Sequence, residues 1–168
     1  MLNVSEYDKN KVFSVNDINE YAQLICYTQN PVFVMFKSEN HDADISNFFA
    51  EVVEKLADET KDVTFISVNY VYRKRLEEPV PGSNLICAYE NTRWLPCFRI
   101  YQHGQRRGSL CHFMGSKLEF EKMELDTKTL VAAAKNMVED DEAAIDKYPL
   151  LLPDNPKDRE SKEGLFII

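Results

Sequence analysis

Trp94-Leu95-Pro96-Cys97-Phe98-Arg99-Ile100-Tyr101-Gln102-His103-Gly104 sets a proline before an apolar run and a glycine just after it. Phe98 to Tyr101 is rich in residues that suit a pleated, half-buried surface, and His103-Gly104 supplies the residue type a tight turn needs. Ser109 to Met114 is the expected return strand, so the stretch reads as an antiparallel hairpin at one side of a sheet. Counting symmetrically about Gly104 with three loop residues puts Cys97 opposite Cys111. Both are expected as buried free thiols, since a free cysteine behaves as a small core hydrophobe.

Upstream, Val32 to Phe36 (VFVMF) is a continuous apolar run of β-branched and aromatic residues, the pattern of a strand covered on both faces. Ile45, Phe48, Phe49, Val52, Val53 and Leu56 follow at helical spacing, forming one stripe that ends near Asp58. Val63 to Val68 is a second buried strand, and strand, helix, strand requires a parallel crossover. Before these, Lys11 to Val15 is a short β segment, and Asn16 or Asp17 caps a helix with Ile18, Tyr21, Ala22 and Ile25 on its packing side. Tyr70 to Ser83, with Pro79, Pro81 and Gly82, reads as a surface loop before a helical turn at Leu85 to Tyr89. Gly115 to Asp126 reads as a long link, and Thr127 to Val138 as the closing helix, packed through Leu130, Val131, Ala134, Met137 and Val138. The expected organisation is one domain over residues 1–142 and a Pro-rich charged tail over 143–168. The tail's apolar end, Leu165-Phe166-Ile167-Ile168, either packs back on the domain or docks on a partner.

The 168 residues carry a net charge of -8, a pI near 4.9 and 44% hydrophobic residues. That is enough apolar matter for one core, and an acidic surface disfavours nucleic acid and anionic lipid as main partners. Met1 to Lys11 is polar, unlike a signal peptide, and no apolar run is long enough to span a bilayer. Cys26, Cys87, Cys97 and Cys111 form no CxxC pair and no zinc-type spacing, and the histidines are far apart. No metal and no cofactor are therefore expected, and reduced thiols fit a cytoplasmic protein.

The order strand, helix, strand, helix, strand, short helix, hairpin, helix over residues 11–140 resembles the thioredoxin fold, an α/β class with a central mixed sheet flanked by helices. Residues 94–104 resemble the thioredoxin segment in which a cis-proline precedes a strand, which marks Leu95, Pro96 and Cys97 as the cis-proline loop. In thioredoxins the loop after the central strand holds a CxxC at a helix start, where the dipole favours a thiolate. Counting forward from Phe36 places His41-Asp42-Ala43-Asp44 there, so the resemblance implies a degenerate active site with neither the attacking thiol nor its partner. The lengthened 115–126 link is similar to that of phosducin-like proteins, which also lack CxxC and assist chaperonin folding of cytoskeletal proteins. The lost cysteines are also shared with small thioredoxin-like proteins that associate with cortical microtubules in apicomplexan parasites.

These features point to a protein that binds other proteins rather than an enzyme, within a cytoskeletal assembly and with tubulin or another cytoskeletal protein as the expected partner. The candidate contacts are Arg73, Lys74 and Arg75, Arg106 and Arg107, Trp94, and the tail residues Phe166 and Ile168. One alternative is a co-chaperone for cytoskeletal proteins. Another is a monothiol redox protein using Cys97, which would require that thiol to be exposed with a depressed pKa.

Overall fold

A computed structural model describes residues 11–40, 43–92, 95–111, 117–137 and 164–167. The elements in chain order are β1 (Val12–Ser14), α1 (Ile18–Tyr27), β2 (Val32–Lys37), α2 (Ala43–Glu59), β3 (Thr64–Asn69), α3 (Gly82–Tyr89), β4 (Cys97–Gln102), β5 (Gln105–Cys111), α4 (Lys117–Met137) and β6 (Gly164–Ile167). The sheet order is β1-β3-β2-β4-β5-β6. β3 runs parallel to both β1 and β2, whereas β4, β5 and β6 are joined by antiparallel ladders.

The alternation of side chains along β2 builds two cores from one strand. Val32, Val34 and Phe36 join Tyr21, Leu24, Ile25, Ile86 and Cys87 under α1 and α3. Phe33 and Met35 face the other way, into Phe49, Val53, Ala57, Met123, Leu130 and Ala134 under α2 and α4. Five consecutive apolar residues, Val32 to Phe36, are what a sheet covered on both faces requires of its central strand. Asp17, rather than Asn16, caps α1: its carboxylate accepts from the N–H groups of Asn19 and Glu20 at 2.8 and 2.9 Å.

Several expectations need correction. Gly115 to Asp126 is not a loop insertion throughout, because α4 starts at Lys117, ten residues before Thr127. No glycine or proline interrupts residues 117–137, and Lys, Leu, Glu, Met and Ala dominate there, all strong helix formers. α3 begins at Gly82, so Gly82 and Ser83 belong to the helix and not to the preceding loop. A Cβ on Gly82 would lie 2.3 Å from the Asn16 carbonyl oxygen, so this close approach of α3 to the segment before α1 demands a glycine. The α2 stripe is narrower than expected: Phe49 and Val53 are buried with Ser46 and Ala57, while Phe48 is exposed. The tail is not irregular to its end, since Gly164–Ile167 adds a strand to β5.

The hairpin reaches the expected pairing by another route. His103 and Gly104 have φ of 51° and 80°, a two-residue turn with both central residues left-handed, and Gln102 pairs with Gln105. A bulge at Arg107 then shifts the register by one, so that Cys97 does pair with Cys111. β5 consequently spans Gln105–Cys111 rather than starting at Ser109, and His112 to Met114 lie outside the described residues.

Candidate functional site

β2 and β3 are parallel, and Phe36 pairs with Cys97 in the antiparallel β2–β4 ladder. The end of β2, the end of β3 and the start of β4 therefore meet at one end of the sheet, together with the start of α2. Tyr70 N–H extends the ladder by donating to the Lys37 carbonyl at 2.7 Å. Glu39 N–H donates to Asn69 Oδ1 at 3.0 Å, and Ser38 N–H donates to the buried Ser46 Oγ at 3.1 Å, which ties the loop after β2 to β3 and to α2.

Two asparagines then fix the loop that follows β3. Asn40 Nδ2 donates to the Tyr72 carbonyl at 2.9 Å while Tyr72 N–H donates to Asn40 Oδ1 at 3.0 Å. Asn84, in α3, makes the same bracket on Val71: it accepts from Val71 N–H at 2.8 Å and donates to the Val71 carbonyl at 2.9 Å. Each side-chain amide satisfies both groups of one backbone residue, as a neighbouring strand would. Residues 71 and 72 are thus anchored from two sides, and the chain beyond them projects outward.

What projects is amphipathic. Tyr72 is 52% exposed, Val80 49% and Leu76 92%, with Lys74 and Arg75 exposed beside them. Arg73 is half-buried and donates through Nη1 to the Glu78 carbonyl at 2.9 Å, holding the loop in shape. An exposed leucine flanked by tyrosines and cations is suited to protein contact, where apolar anchors are rimmed by charge.

Two thiols near this end, Cys87 and Cys97, are buried. Cys97 is 1% exposed, and burial pushes the Cys87 thiol up to about 11, so it stays protonated near neutral pH. Cys26 is exposed, at the far end of α1 beside Gly104. Leu95-Pro96 is a cis peptide bond, as the resemblance implied, and Pro96 is buried with Leu95 half-buried against the α1 and α3 core. Among the described residues no group of His, Cys, Asp and Glu could hold a metal ion, and no helix is long and apolar enough to cross a membrane.

Among solved structures, the chain resembles thioredoxin f from spinach chloroplast (long form) at 19% identity and a TM-score of 0.52, over 78% of this chain and 91% of that one. It also resembles the thioredoxin of Malassezia sympodialis at 16% identity and a TM-score of 0.50, over 71% of this chain and 90% of that one. The chain has the thioredoxin fold. At these identities the likeness concerns the fold alone. No protein-family model matches the sequence, and no curated protein does either.

Within this thioredoxin fold the residues singled out from the sequence fare unequally. Ala43 and Asp44 open α2, with Asp44 supplying the negative charge its first turn favours. His41, Asp42, Trp94 and Ile168 lie outside the described residues, and Phe166 is placed only as a position in β6. Arg107 is not an exposed contact: it is buried at the bulge and donates through Nη1 to Gln102 Oε1 at 2.6 Å. Arg106 is half-buried. Arg107 therefore serves the hairpin, whereas Lys74 and Arg75 are exposed.

One buried constellation escaped the sequence reading. Arg99 is 0% exposed in the middle of β4, and its Nη1 donates to Glu90 Oε2 at 2.9 Å and to the Glu90 carbonyl at 2.7 Å. Tyr101 Oη donates to the same carboxylate oxygen. The guanidinium also lies 5.4 Å from the Phe36 ring centroid, a cation over an aromatic face. Burial, then the Glu90 charge, raises the Tyr101 pKa well above the ordinary phenol range. Burial, with Tyr101 and Glu90 nearby, does the same to Tyr21. The available signal was a charge centred in the apolar run CFRIY, where only a paired cation can be buried.

Proposed function

We propose that this thioredoxin-fold chain is a non-catalytic binding protein whose main contact face is the loop 70–81 with the start of α3. The observation carrying this reading is the bracketed loop itself, which holds Tyr72, Leu76 and Val80 outward beside Lys74 and Arg75. The sequence around the start of α2 supports it: His41-Asp42-Ala43-Asp44 offers no sulfur where a dithiol would act. The burial of Cys97 and the raised pKa of Cys87 disfavour a monothiol mechanism through either residue.

The partner class we favour is a cytoskeletal protein, with tubulin as the first candidate and the basic loop meeting acidic surface on it. Purified microtubules test this directly by co-sedimentation. The wild-type chain is expected in the pellet, and a Tyr72→Ala/Leu76→Ala variant and an Arg73→Ala/Lys74→Ala/Arg75→Ala variant are expected in the supernatant. Equal co-sedimentation of all three would remove the loop from the interface, and none by the wild type would remove tubulin. In parallel, the purified chain is expected not to accelerate reduction of insulin disulfides by dithiothreitol. Clear acceleration would overturn the non-catalytic reading.

A further inference from the structure

β6 stands apart from every other element in how it reaches the sheet. It pairs Gly164, Leu165, Phe166 and Ile167 with Cys111, Leu110, Ser109 and Gly108, and it lies beside α4. The 26 residues from 138 to 163 separate it from the end of α4. Without it, β5 would be the edge of the sheet, with one row of backbone N–H and C=O groups open to pairing by another chain. The pairing positions on β5 carry no charge, since Gly108, Ser109, Leu110 and Cys111 oppose an equally uncharged Gly-Leu-Phe-Ile.

We propose that the β5 edge is a strand-accepting interaction surface, and that β6 is its internal occupant, displaced by an extended apolar segment of a partner protein. Three observations support this, and none depends on the loop 70–81. The strand is only four residues long, so few ladder bonds hold it. It is separated from α4 by 26 residues, whose greatest possible reach, at roughly 3.3 Å each, exceeds the width of a small domain, so chain length alone does not hold β6 against β5. Its exposed end, with Ile167 at 40% exposure, offers a place where displacement by another strand can start. As part of the same chain, β6 competes for this edge at an effective concentration fixed by its covalent attachment. A competing strand must exceed this to bind, so the tail sets a threshold for the partner. The partner segment has the chemistry of the strand it replaces: extended, apolar at consecutive positions, and free of charge and proline.

The test uses a synthetic peptide with the sequence of residues 160–168, added to three isotope-labelled chains and followed by amide chemical shifts of residues 105–111. The chains are the wild type, one ending at Glu142, and the full chain carrying Leu165→Pro and Phe166→Pro. Adjacent strand N–H groups point to opposite edges, so the double substitution removes a ladder donor in either register. In the two altered chains the peptide is expected to move the 108–111 amides saturably towards their wild-type positions, with an apparent affinity at least tenfold above that for the wild type. Equal affinity for all three, or no shift in altered chains whose other resonances stay native, would overturn the proposal. So would loss of the folded spectrum in both altered chains, which would make β6 an indispensable part of the domain. A wild-type dimer abolished by the proline pair would assign the edge to strand exchange between copies and overturn internal occupancy.

Discussion

Removing the Arg99 guanidinium leaves the Glu90 carboxylate and the Tyr101 hydroxyl facing each other with no cation between them. Breaking a buried pair from one side costs about 3–5 kcal/mol, whereas replacing both partners by neutral groups of similar size costs much less. Arg99→Met is therefore expected to lower the urea midpoint strongly, and Arg99→Met with Glu90→Gln to recover part of the loss. A strictly additive double variant would show that the two side chains do not act as a pair. The same region sets an alkaline limit. Cys87 is raised from 9.0 to about 11, and Tyr21 and Tyr101 are raised too, so each favours its neutral form in the folded state. The stability they contribute is complete below the unfolded-state values and is lost as pH rises through the folded ones. Urea midpoints are expected to hold near neutral pH and fall above pH 9.0, with Cys87→Ser showing a shallower fall up to about 11. Iodoacetamide at neutral pH should label Cys26 well before Cys87 or Cys97, as mass spectrometry of the peptides will show.

Helix starts supply the predictions at the level of elements. Asp17→Ala removes the two hydrogen bonds that close the first turn of α1 and should cost about 1 kcal/mol in denaturant unfolding. β2, β3, α1 and the cis bond at Pro96 were legible because each rests on a local pattern: an apolar run, a capping carboxylate, a proline before a strand. The first half of α4 was missed because Lys117 to Asp126 shows its helical character in residue propensity and not in a broad apolar stripe. The bulge at Arg107 was invisible for a different reason. A turn of two residues with a bulge and a turn of three without one give the same Cys97–Cys111 pairing, so residue counting cannot separate them. The brackets by Asn40 and Asn84 span 32 and 13 residues, beyond what any local window reports.

At the scale of the whole molecule, the net charge of -8 and the cations at residues 73–75 pull in opposite directions. An acidic partner is repelled by the chain as a whole and attracted by the loop. Association with such a partner is expected to slow with added salt, and the slope should flatten or reverse in the Arg73→Ala/Lys74→Ala/Arg75→Ala variant, as stopped-flow rates would reveal. The fold was legible at this scale from the order of elements alone. The sixth strand was not, because a four-residue apolar end offers the same pattern whether it pairs at home or elsewhere.

The loop 70–81 hangs on two primary amides, and that makes its attachment chemically perishable. Asn40 and Asn84 each give a hydrogen and take one from a single backbone residue, a reciprocity that hydrolysis of the amide to a carboxylate would end. The resulting aspartate could still receive from the N–H but would push its charge against the carbonyl. Slow ageing of a stored sample at Asn40, the exposed one of the two, would thus loosen residue 72 while the sheet stayed whole, and the proposed contact would weaken before the unfolding curve moved.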